Sequence, residues 1–511
     1  MAQLAEALPS EPARRVISVR SPATLEPVRD VPVTTPEELA IAAQHARAAQ
    51  KEWRELSFDE RAAALYRYRD ALLDHEERIA DVLTAETGKP RGDVWGVELI
   101  YICDAISWWG KNAETLLADE RVKPHLLRNK AAYSTYVPMG VIGIIGPWNF
   151  PLVLTIGEAL PALMAGNSVI IKPSEVTPLS AIVGAEIWRE AGLPAGVLQV
   201  VPGYGDLGAK LIDHVDMICF TGSVATGRKV AMKAAEQLKP FTLELGGKDP
   251  MIVLRDANLE RAANACVWGG LVNSGQVCIS VERVYVEEPV YDDFVKRVEQ
   301  KIRGVRQGMP HEDVDIGSMT FPAQIEKVER QVADAVARGA KVLAGGRRKP
   351  GHPGLFYEPT LLVEVNHDME VMRDETFGPV IAIQKVKDEE EAIRLANDSP
   401  YGLDASVFTR DGEKGRAIAR RIESGAVCVN DCIVNFALTD VPMGGIKESG
   451  LGRRHGAEGI RKYCHQQTVV VDRLGLKSEF NWFPSSARKI GGLKRLMRLL
   501  FRSGWRKKLF G

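Results

Sequence analysis

Three residues in the middle of the chain carry the groups needed for acyl transfer through a thiol. Asn149 lies between Pro147 and Pro151, and the two prolines restrict the backbone around it. Glu244 precedes two glycines, and Cys278 follows the glycine-containing turn Asn-Ser-Gly-Gln-Val. A thiol can act as nucleophile, a carboxylate as base, and an amide as a donor to an oxyanion. Each residue type alone is common in turns and cores, but their joint occurrence predicts a covalent catalytic site.

Two loops have the composition of nucleotide-binding turns. Residues 220–227 close an apolar run and open a helical one, so free amides and the helix dipole would face a pyrophosphate. Lys172 and Glu175 follow another apolar run, where a cation and a carboxylate can bind ribose hydroxyls. A literal Gly-x-Gly-x-x-Gly match at 203–208 is weaker, because Arg228 replaces the acid expected about 20 residues later. We interpret that match as a turn.

The elements that must position these groups alternate between short apolar strands and helices. Helices are predicted from a capping box at Thr35 and Glu38 to Trp53, then over 59–87 and 92–117. Strands are predicted at 141–145, 168–171, 197–201 and 217–220, with helices over 151–165, 178–191 and 206–212 between them. A second alternating series runs from about Met251 to Asn430. The pattern predicts an α/β fold with two doubly wound domains.

The composition of the chain limits the kinds of binding partner and the cellular compartments that we expect for it. The chain has 511 residues and a formal net charge of −1, so no global field favours nucleic acid. No run reaches the roughly 18 apolar residues that cross a bilayer, and residues 1–20 lack the apolar core of a signal peptide. Seven cysteines and nine histidines are dispersed. We therefore expect a cytoplasmic protein with free thiols and without a structural metal.

Taken in order, the motifs resemble those of the NAD(P)-dependent aldehyde dehydrogenase superfamily over residues 20–475. The matching segments are PWNFP (147–151), KPSE (172–175), FTGS (220–223), ELGGK (244–248), GQVC (275–278), ETFGPV (375–380) and PMGGIKESGLGR (442–453). The resemblance implies an NAD-binding domain (1–121 and 141–246) and a catalytic domain (247–447). It also implies a small β oligomerisation arm (122–140 and 463–475) and a homodimer or homotetramer.

The same resemblance implies NAD-dependent oxidation of an aldehyde to a carboxylic acid. Cys278 would attack the carbonyl, and Asn149 with the Cys278 backbone N–H would hold the oxyanion. Glu244 would activate the water that hydrolyses the thioester. The implied cofactor contacts are Lys172 and Glu175 at the adenine ribose, Gly222 and Ser223 near the pyrophosphate, Glu375 at the nicotinamide ribose, and Trp148 and Phe377 nearby.

Glu175 bears on the choice of cofactor. A carboxylate accepts hydrogen bonds from a free 2′-hydroxyl and repels a 2′-phosphate. We therefore expect NAD, with NADP as the alternative because Lys172 can offset the repulsion.

The sequence as a whole is similar to those of bacterial succinate-semialdehyde dehydrogenases, but it differs from them at one position. Many of those enzymes carry an arginine six residues before the nucleophile, where this chain has Val272. Gly157 stands where a bulky aromatic is common, and we expect a wider entrance there. The other expected pocket residues are apolar: Phe150, Leu154, Val277, Ile279 and Met443. These features predict an uncharged aliphatic or aromatic aldehyde as substrate, with succinate semialdehyde as the alternative.

Two other classes of function share parts of this pattern. A CoA-acylating dehydrogenase would keep Cys278 but usually lacks the glutamate that Glu244 supplies. A non-catalytic binding protein would be expected to lose Cys278 or Asn149. The presence of Cys278, Glu244 and Asn149 together disfavours both of these classes of function.

The C-terminal segment 485–511 lies beyond the resemblance. It contains nine Lys or Arg and no Asp or Glu. Apolar residues recur at helical spacing with cations between them: Ile490, Leu493, Leu496, Met497, Leu500 and Phe501, with Lys494, Arg495, Arg498 and Arg502. Trp505 and Phe510 add aromatic surface. The pattern predicts an amphipathic helix that either makes peripheral contact with an anionic membrane or packs on the protein itself.

Overall fold

The structure is a computed structural model that describes residues 14–502. Trp505 and Phe510 of the basic C-terminal segment lie outside the described residues. Across 14–502, no helix combines the length and apolar character that crossing a membrane requires.

The N-terminal helices largely follow the predicted pattern. Helix Pro36–Trp53 begins at the expected capping box, in which the Glu38 N–H donates to the Thr35 hydroxyl (3.2 Å) and Glu38 accepts from the Thr35 N–H (2.9 Å). The single helix predicted over 59–87 is wrong. The chain forms Phe58–Asp74 and Glu76–Thr87, because His75 leaves the helical conformation with ψ of 18°. Apolar periodicity does not register a one-residue interruption of this kind.

Wider π-type turns interrupt two further predicted helices. Residues 92–117 form Arg91–Asp93, the π-helical Val94–Leu99, and Ile100–Leu116. Residues 151–165 form the π-helical Val153–Gly157 followed by Glu158–Met164. Such turns are frequent next to functional sites, and both lie beside Asn149 or its supports.

A six-stranded sheet carries the first half of the site. Its strands, in spatial order, are Gly450–Leu451, Phe241–Glu244, Met217–Thr221, Val141–Ile145, Ser168–Lys172 and Leu198–Val200. The first pair is antiparallel and the others are parallel. The helices that connect its strands include Leu179–Glu190, Gly205–His214 and Val224–Glu236. The parallel strands end at one edge, so the loops after them meet there.

A seven-stranded sheet carries the second half. Its strands, in spatial order, are Lys341–Ala344, Thr360–Val363, Val380–Val386, Val281–Glu287, Asp249–Val253, Ser406–Phe408 and Cys428–Val429. All pairs except the first are parallel. Its helices include Leu259–Leu271, Tyr291–Arg303, Pro322–Ala337, Glu389–Asn397 and Gly412–Ala419. The two parallel sheets confirm the predicted α/β class.

Three smaller sheets complete the described chain. Val16–Arg20 pairs with Pro27–Pro32, and Tyr401–Gly402 pairs with Ile446–Lys447. The third sheet has the strand order Cys464–Asp472, Lys130–Pro138, Glu120–Val122. Two compact units are distinguished: one up to Ala118 and over Tyr136–His465, the other over Asp119–Thr135 and from Gln466 onward. The second unit contains a helix, Ala487–Phe501, which we call the tail helix.

Candidate active site

One cavity of about 130 Å³ brings together the three predicted catalytic residues and most of the predicted cofactor residues. Its lining includes Cys278, Glu244, Asn149, Trp148, Gly222, Ser223, Glu375 and Phe377. Some of them stand at the ends of strands of the six-stranded sheet, and the others stand in turns that precede strands of the seven-stranded sheet. Segments distant in sequence therefore converge where the motifs predicted a site.

A strained turn presents Cys278. Asn273, Ser274 and Gly275 all have positive φ (50°, 55° and 71°), and such conformations cluster at functional sites. A side chain at Gly275 would place its Cβ 2.1 Å from the carbonyl oxygen of Gly378, so glycine is required there. The Asn273 side-chain amide donates to the Asn149 carbonyl (3.0 Å). The turn that aims the thiol is thus tied to the residue expected to hold the oxyanion.

Asn149 is buried beside this turn, with 2% of its surface exposed. Its side-chain Nδ2 donates to the Gln276 carbonyl at 2.9 Å. An amide nitrogen carries two N–H groups. One orients the side chain against the turn, and the second is available to an oxygen bound in the cavity.

A buried ion pair that the motifs did not reveal supports the Asn149 loop. Lys89 Nζ pairs with Glu98 and donates to the Asn149 carbonyl at 2.9 Å. Glu98 accepts from the backbone N–H groups of Leu152 (3.0 Å) and Val153 (3.1 Å). One feature of the sequence indicates this ion pair. Glu98 stands in an otherwise apolar stretch, where burying an unpaired charge would cost free energy.

Burial shifts the titration of both reactive groups. Burial raises the pKa of Glu244 to about 7, while the charges of Arg454 and Lys462 oppose that rise. Burial raises the pKa of the Cys278 thiol to about 12, again opposed by Arg454. A carboxylate that titrates near neutrality can both accept and release a proton at physiological pH. The thiol, in contrast, needs a base or a nearby cation to form its thiolate.

Glu375 and Phe377 lie in a loop held by a second buried ion pair. Glu282 accepts from the N–H groups of Thr376 and Phe377, each at 2.8 Å, and pairs with Lys248 Nζ at 2.6 Å. Lys248 ends the ELGGK motif, so this pair joins two motifs that lie far apart in the sequence. Neither residue was assigned a role from the sequence.

The backbone of the segment after Glu244 comes close to the same loop and to the turn that contains Cys278. Glu375 accepts from the Gly247 N–H at 3.1 Å, and burial raises the pKa of its carboxyl to about 7. A Cβ on Gly247 would lie 2.4 Å from the Cys278 carbonyl oxygen. The glycine therefore lets the segment after Glu244 pack directly against the turn that contains Cys278.

The hydrogen-bond donors and aromatic rings that line the cavity suit a dinucleotide. Gly222 and Ser223 precede helix Val224–Glu236, and the Ser223 side chain caps it by accepting from the Thr226 N–H. This helix start, which the sequence predicted, lines the cavity and offers amides to a phosphate. Trp148 and Phe377 meet edge to face with ring centroids 5.2 Å apart.

Lys172 and Glu175 lie outside the lining of this cavity, at the end of strand Ser168–Lys172. Lys172 Nζ and Glu175 Oε2 form an ion pair at 3.0 Å, in which Lys172 is buried and Glu175 keeps 39% of its side chain exposed. The strand is next to Val141–Ile145 in the sheet. The pair thus offers a carboxylate to a ribose while a cation already partly neutralises it.

A larger outer cavity of about 720 Å³ has mainly aromatic and aliphatic walls. Its ring-bearing residues are Tyr101, Trp108, Trp268 and Phe436, and its charged residues are Asp104, Asp431 and Asp440. No Lys or Arg of the described chain is among its lining residues. The sequence did not reveal this set, because it comes from three separated segments. Tyr101 also takes up part of the space expected beside Gly157, where a Cβ would stand 3.2 Å from its ring.

One buried cation lies behind these walls. Arg454, 6% exposed, pairs with Glu158 at 3.0 Å and donates to Thr221 Oγ1 at 3.2 Å. Thr221 is the strand partner of Glu244. The Arg454 guanidinium also lies 5.7 Å from the centre of the ring of Phe436, which lines the outer cavity.

Comparison with known proteins places these features in context. The family model described as "Aldehyde dehydrogenase family" matches residues 9–469. A Mycobacterium bovis protein named as a succinate-semialdehyde dehydrogenase (NADP+) is 41% identical over 456 residues, covering 88% of each chain. The 4,4'-diapolycopene aldehyde oxidase of a Methylomonas species is 38% identical over 475 residues, 92% of this chain and 88% of the relative. A solved Mycobacterium tuberculosis aldehyde dehydrogenase in complex with NAD+ is 36% identical with a TM-score of 0.86, covering 91% of this chain and 96% of that one.

Proposed function

The chain belongs to the aldehyde dehydrogenase family and is an oxidoreductase acting on aldehydes, and we propose that Cys278, Glu244 and Asn149 perform its chemistry. The observation that carries the assignment is their convergence on one cavity with Gly222, Ser223 and Glu375. We further assign residues 1–121 and 141–246 to cofactor binding and 247–447 to catalysis.

The proposed reaction uses these groups in order. The Cys278 thiolate attacks the aldehyde carbon, and a C–S bond forms while Asn149 Nδ2 and the Cys278 N–H stabilise the resulting oxyanion. When the oxyanion collapses, hydride leaves the former aldehyde carbon and a thioester remains on Cys278. Glu244 then takes a proton from water, whose oxygen attacks the thioester. The C–S bond breaks, the carboxylic acid is released, and Cys278 returns to the thiolate form.

NAD(P) fits the remaining residues and supplies the hydride acceptor. The helix start at Gly222 and Ser223 suits the pyrophosphate, Glu375 suits a ribose hydroxyl, and Trp148 and Phe377 offer apolar surface nearby. Lys172 and Glu175 suit the adenine ribose. We propose a preference for NAD because Glu175 disfavours a 2′-phosphate. Its pairing with Lys172 and the relatives named for NADP+ keep NADP as the alternative.

The substrate we propose is an uncharged aliphatic or aromatic aldehyde. Val272, six residues before the nucleophile, is apolar and buried, and the outer cavity presents carboxylates rather than cations. An anionic aldehyde would be repelled on entry and left unpaired on burial, which costs several kcal/mol. The apolar walls and the large volume suit a bulky hydrophobic tail, and one relative is named 4,4'-diapolycopene aldehyde oxidase.

Succinate semialdehyde is the second candidate. Relatives at 41% identity carry that name, and Arg454 supplies a buried cation behind Phe436. Against it, Arg454 is already paired with Glu158.

We also propose a homodimer or homotetramer and a cytoplasmic location, with peripheral membrane contact through residues 485–511. Strand Cys464–Asp472 is an edge of the three-stranded sheet, and exposed edges are templates for pairing with another chain. All seven cysteines are free thiols, which supports a reducing compartment.

Cofactor reduction over a panel of aldehydes tests the substrate assignment. Uncharged medium-chain aldehydes should give higher kcat/KM than succinate semialdehyde, and acid should be released without CoA. Asp104→Asn with Asp440→Asn should raise kcat/KM for succinate semialdehyde and leave the uncharged substrates unchanged. A clear wild-type preference for succinate semialdehyde would support the second candidate. Acid release that requires CoA would place the enzyme in the acylating class.

A further inference from the structure

The tail helix, Ala487–Phe501, has two chemically distinct sides. At 3.6 residues per turn, most of its aliphatic and aromatic side chains gather on one side and most of its cations on the other. Leu499 falls on the cationic side, and Lys489, which donates to the Trp482 carbonyl at 3.0 Å, falls on the apolar side. The apolar side consists of Ile490, Leu493, Leu496, Met497, Leu500 and Phe501, and the cationic side of Arg488, Lys494, Arg495 and Arg498, continued by Arg502.

The apolar side is exposed. None of the helix residues is buried; on the apolar side Leu500 is half-buried, and the other five side chains have exposed fractions from 44% at Leu493 to 61% at Phe501. The segment before the helix adds Trp482 and Phe483, which are 55% and 90% exposed. Within residues 14–502, the side chains of this stripe therefore keep a large part of their surface accessible. An apolar surface of this extent marks an interaction site.

The charge of the segment indicates the kind of partner. Residues 485–511 carry nine Lys or Arg and no Asp or Glu, and none of the ion pairs found within residues 14–502 involves the cations of the helix. A contact between two copies through the apolar side would bury that side but leave both cationic sides without a counter-charge. An anionic bilayer satisfies both sides at once, because headgroups lie next to acyl chains.

We infer that the tail helix is a docking surface for an anionic lipid membrane. The helix lies in the plane of the interface, with Leu493 and Met497 directed to the acyl region and Arg495 and Arg498 to the headgroups. Trp482 lies at the headgroup level, where amphipathic rings are favoured. This inference rests on the membrane contact proposed for residues 485–511 and does not depend on the catalytic assignment. An enzyme attached in this way meets aldehydes that partition into the bilayer.

Vesicle co-sedimentation of the full chain tests the inference. The probes are vesicles of phosphatidylcholine alone and of equimolar phosphatidylcholine and phosphatidylglycerol, each at low and high salt. The full chain should pellet with the anionic vesicles, and high salt should release it because screening shortens the range of the charges. Replacing Arg488, Lys494, Arg495 and Arg498 by Gln should lower the partition coefficient on the order of a thousand-fold.

A matched pair of variants separates the two sides of the helix. Met497→Asp introduces a charge on the apolar side, whereas Leu499→Asp introduces the same charge at a similarly exposed residue outside it (56% and 50%). Met497→Asp should weaken pelleting well beyond the effect of Leu499→Asp. Equal pelleting of the full chain and a truncation after Pro484 would overturn the inference, as would equal binding to neutral vesicles. A change of oligomeric state in Met497→Asp with unchanged pelleting would also overturn it, since the surface would then join copies of this chain.

Discussion

Arg454 and Glu158 form a buried ion pair, 3.0 Å between Nη2 and Oε2, next to the strand that ends in Glu244. Glu158 also accepts from Lys462 Nζ and the Tyr463 hydroxyl, each at 2.6 Å. Two cations therefore surround one carboxylate, and a surplus positive charge remains close to Glu244 and Cys278. This surplus opposes the effect of burial, which raises the pKa of both groups.

Removing that charge should make both groups harder to ionise. In Arg454→Met, alkylation of Cys278 by iodoacetamide near pH 8 should slow on the order of tenfold, which corresponds to one pKa unit. Arg454→Lys should restore much of the rate because it keeps the charge. Thermal unfolding of both variants is the control for folding. An unchanged pH profile of alkylation in a folded Arg454→Met protein would show that Arg454 acts only as a structural residue.

The pKa of Glu244, about 7, sets the pH dependence of thioester hydrolysis. The base is the ionised form, which is depleted below that pKa and predominates above it. The steady-state rate should therefore rise with pH through about 7 and level off. Glu244→Gln should remove this dependence and give a burst of reduced cofactor followed by slow turnover. Loss of the burst as well would move Glu244 to an earlier step, such as activation of Cys278.

Glu175 should control the choice between the two cofactors. Glu175→Gln removes the negative charge but keeps the size of the side chain, so repulsion of a 2′-phosphate is relieved. We expect kcat/KM for NADP to rise at least about tenfold relative to NAD, since like charges in contact cost several kcal/mol. Steady-state kinetics with both cofactors measure the ratio. A wild-type enzyme that already prefers NADP would show that Lys172 outweighs Glu175.

The sequence predicted the parts of the site that are local in the chain. Asn149 and Glu244 stand in short motifs at the ends of parallel strands of one sheet, and such ends lie at the same edge. Cys278 stands in a glycine-containing motif before a strand of the other sheet. The helix start at Ser223 could be predicted for the same reason, since capping depends on neighbouring residues.

The supports and the outer cavity depend on distant contacts and could not be predicted in this way. Lys89 reaches Asn149 across 60 positions, and Glu282 reaches Phe377 across 95. Their side chains carry no local signature beyond an isolated charge in an apolar stretch. The helix break at His75 and the π-turns could not be predicted for a related reason. The periodicity of apolar residues does not resolve shifts of one residue.

Mass spectrometry of a trapped intermediate tests the central claim most directly. Glu244→Gln mixed with an uncharged aldehyde and NAD, then quenched with acid, should carry an added acyl group on the Cys278 peptide. The amount of adduct should match the burst of NADH. Cys278→Ala should show neither adduct nor burst while retaining NAD binding. Reduced cofactor formed without an adduct on Cys278, or more than a few per cent of wild-type turnover in Cys278→Ala, would contradict covalent catalysis by this residue.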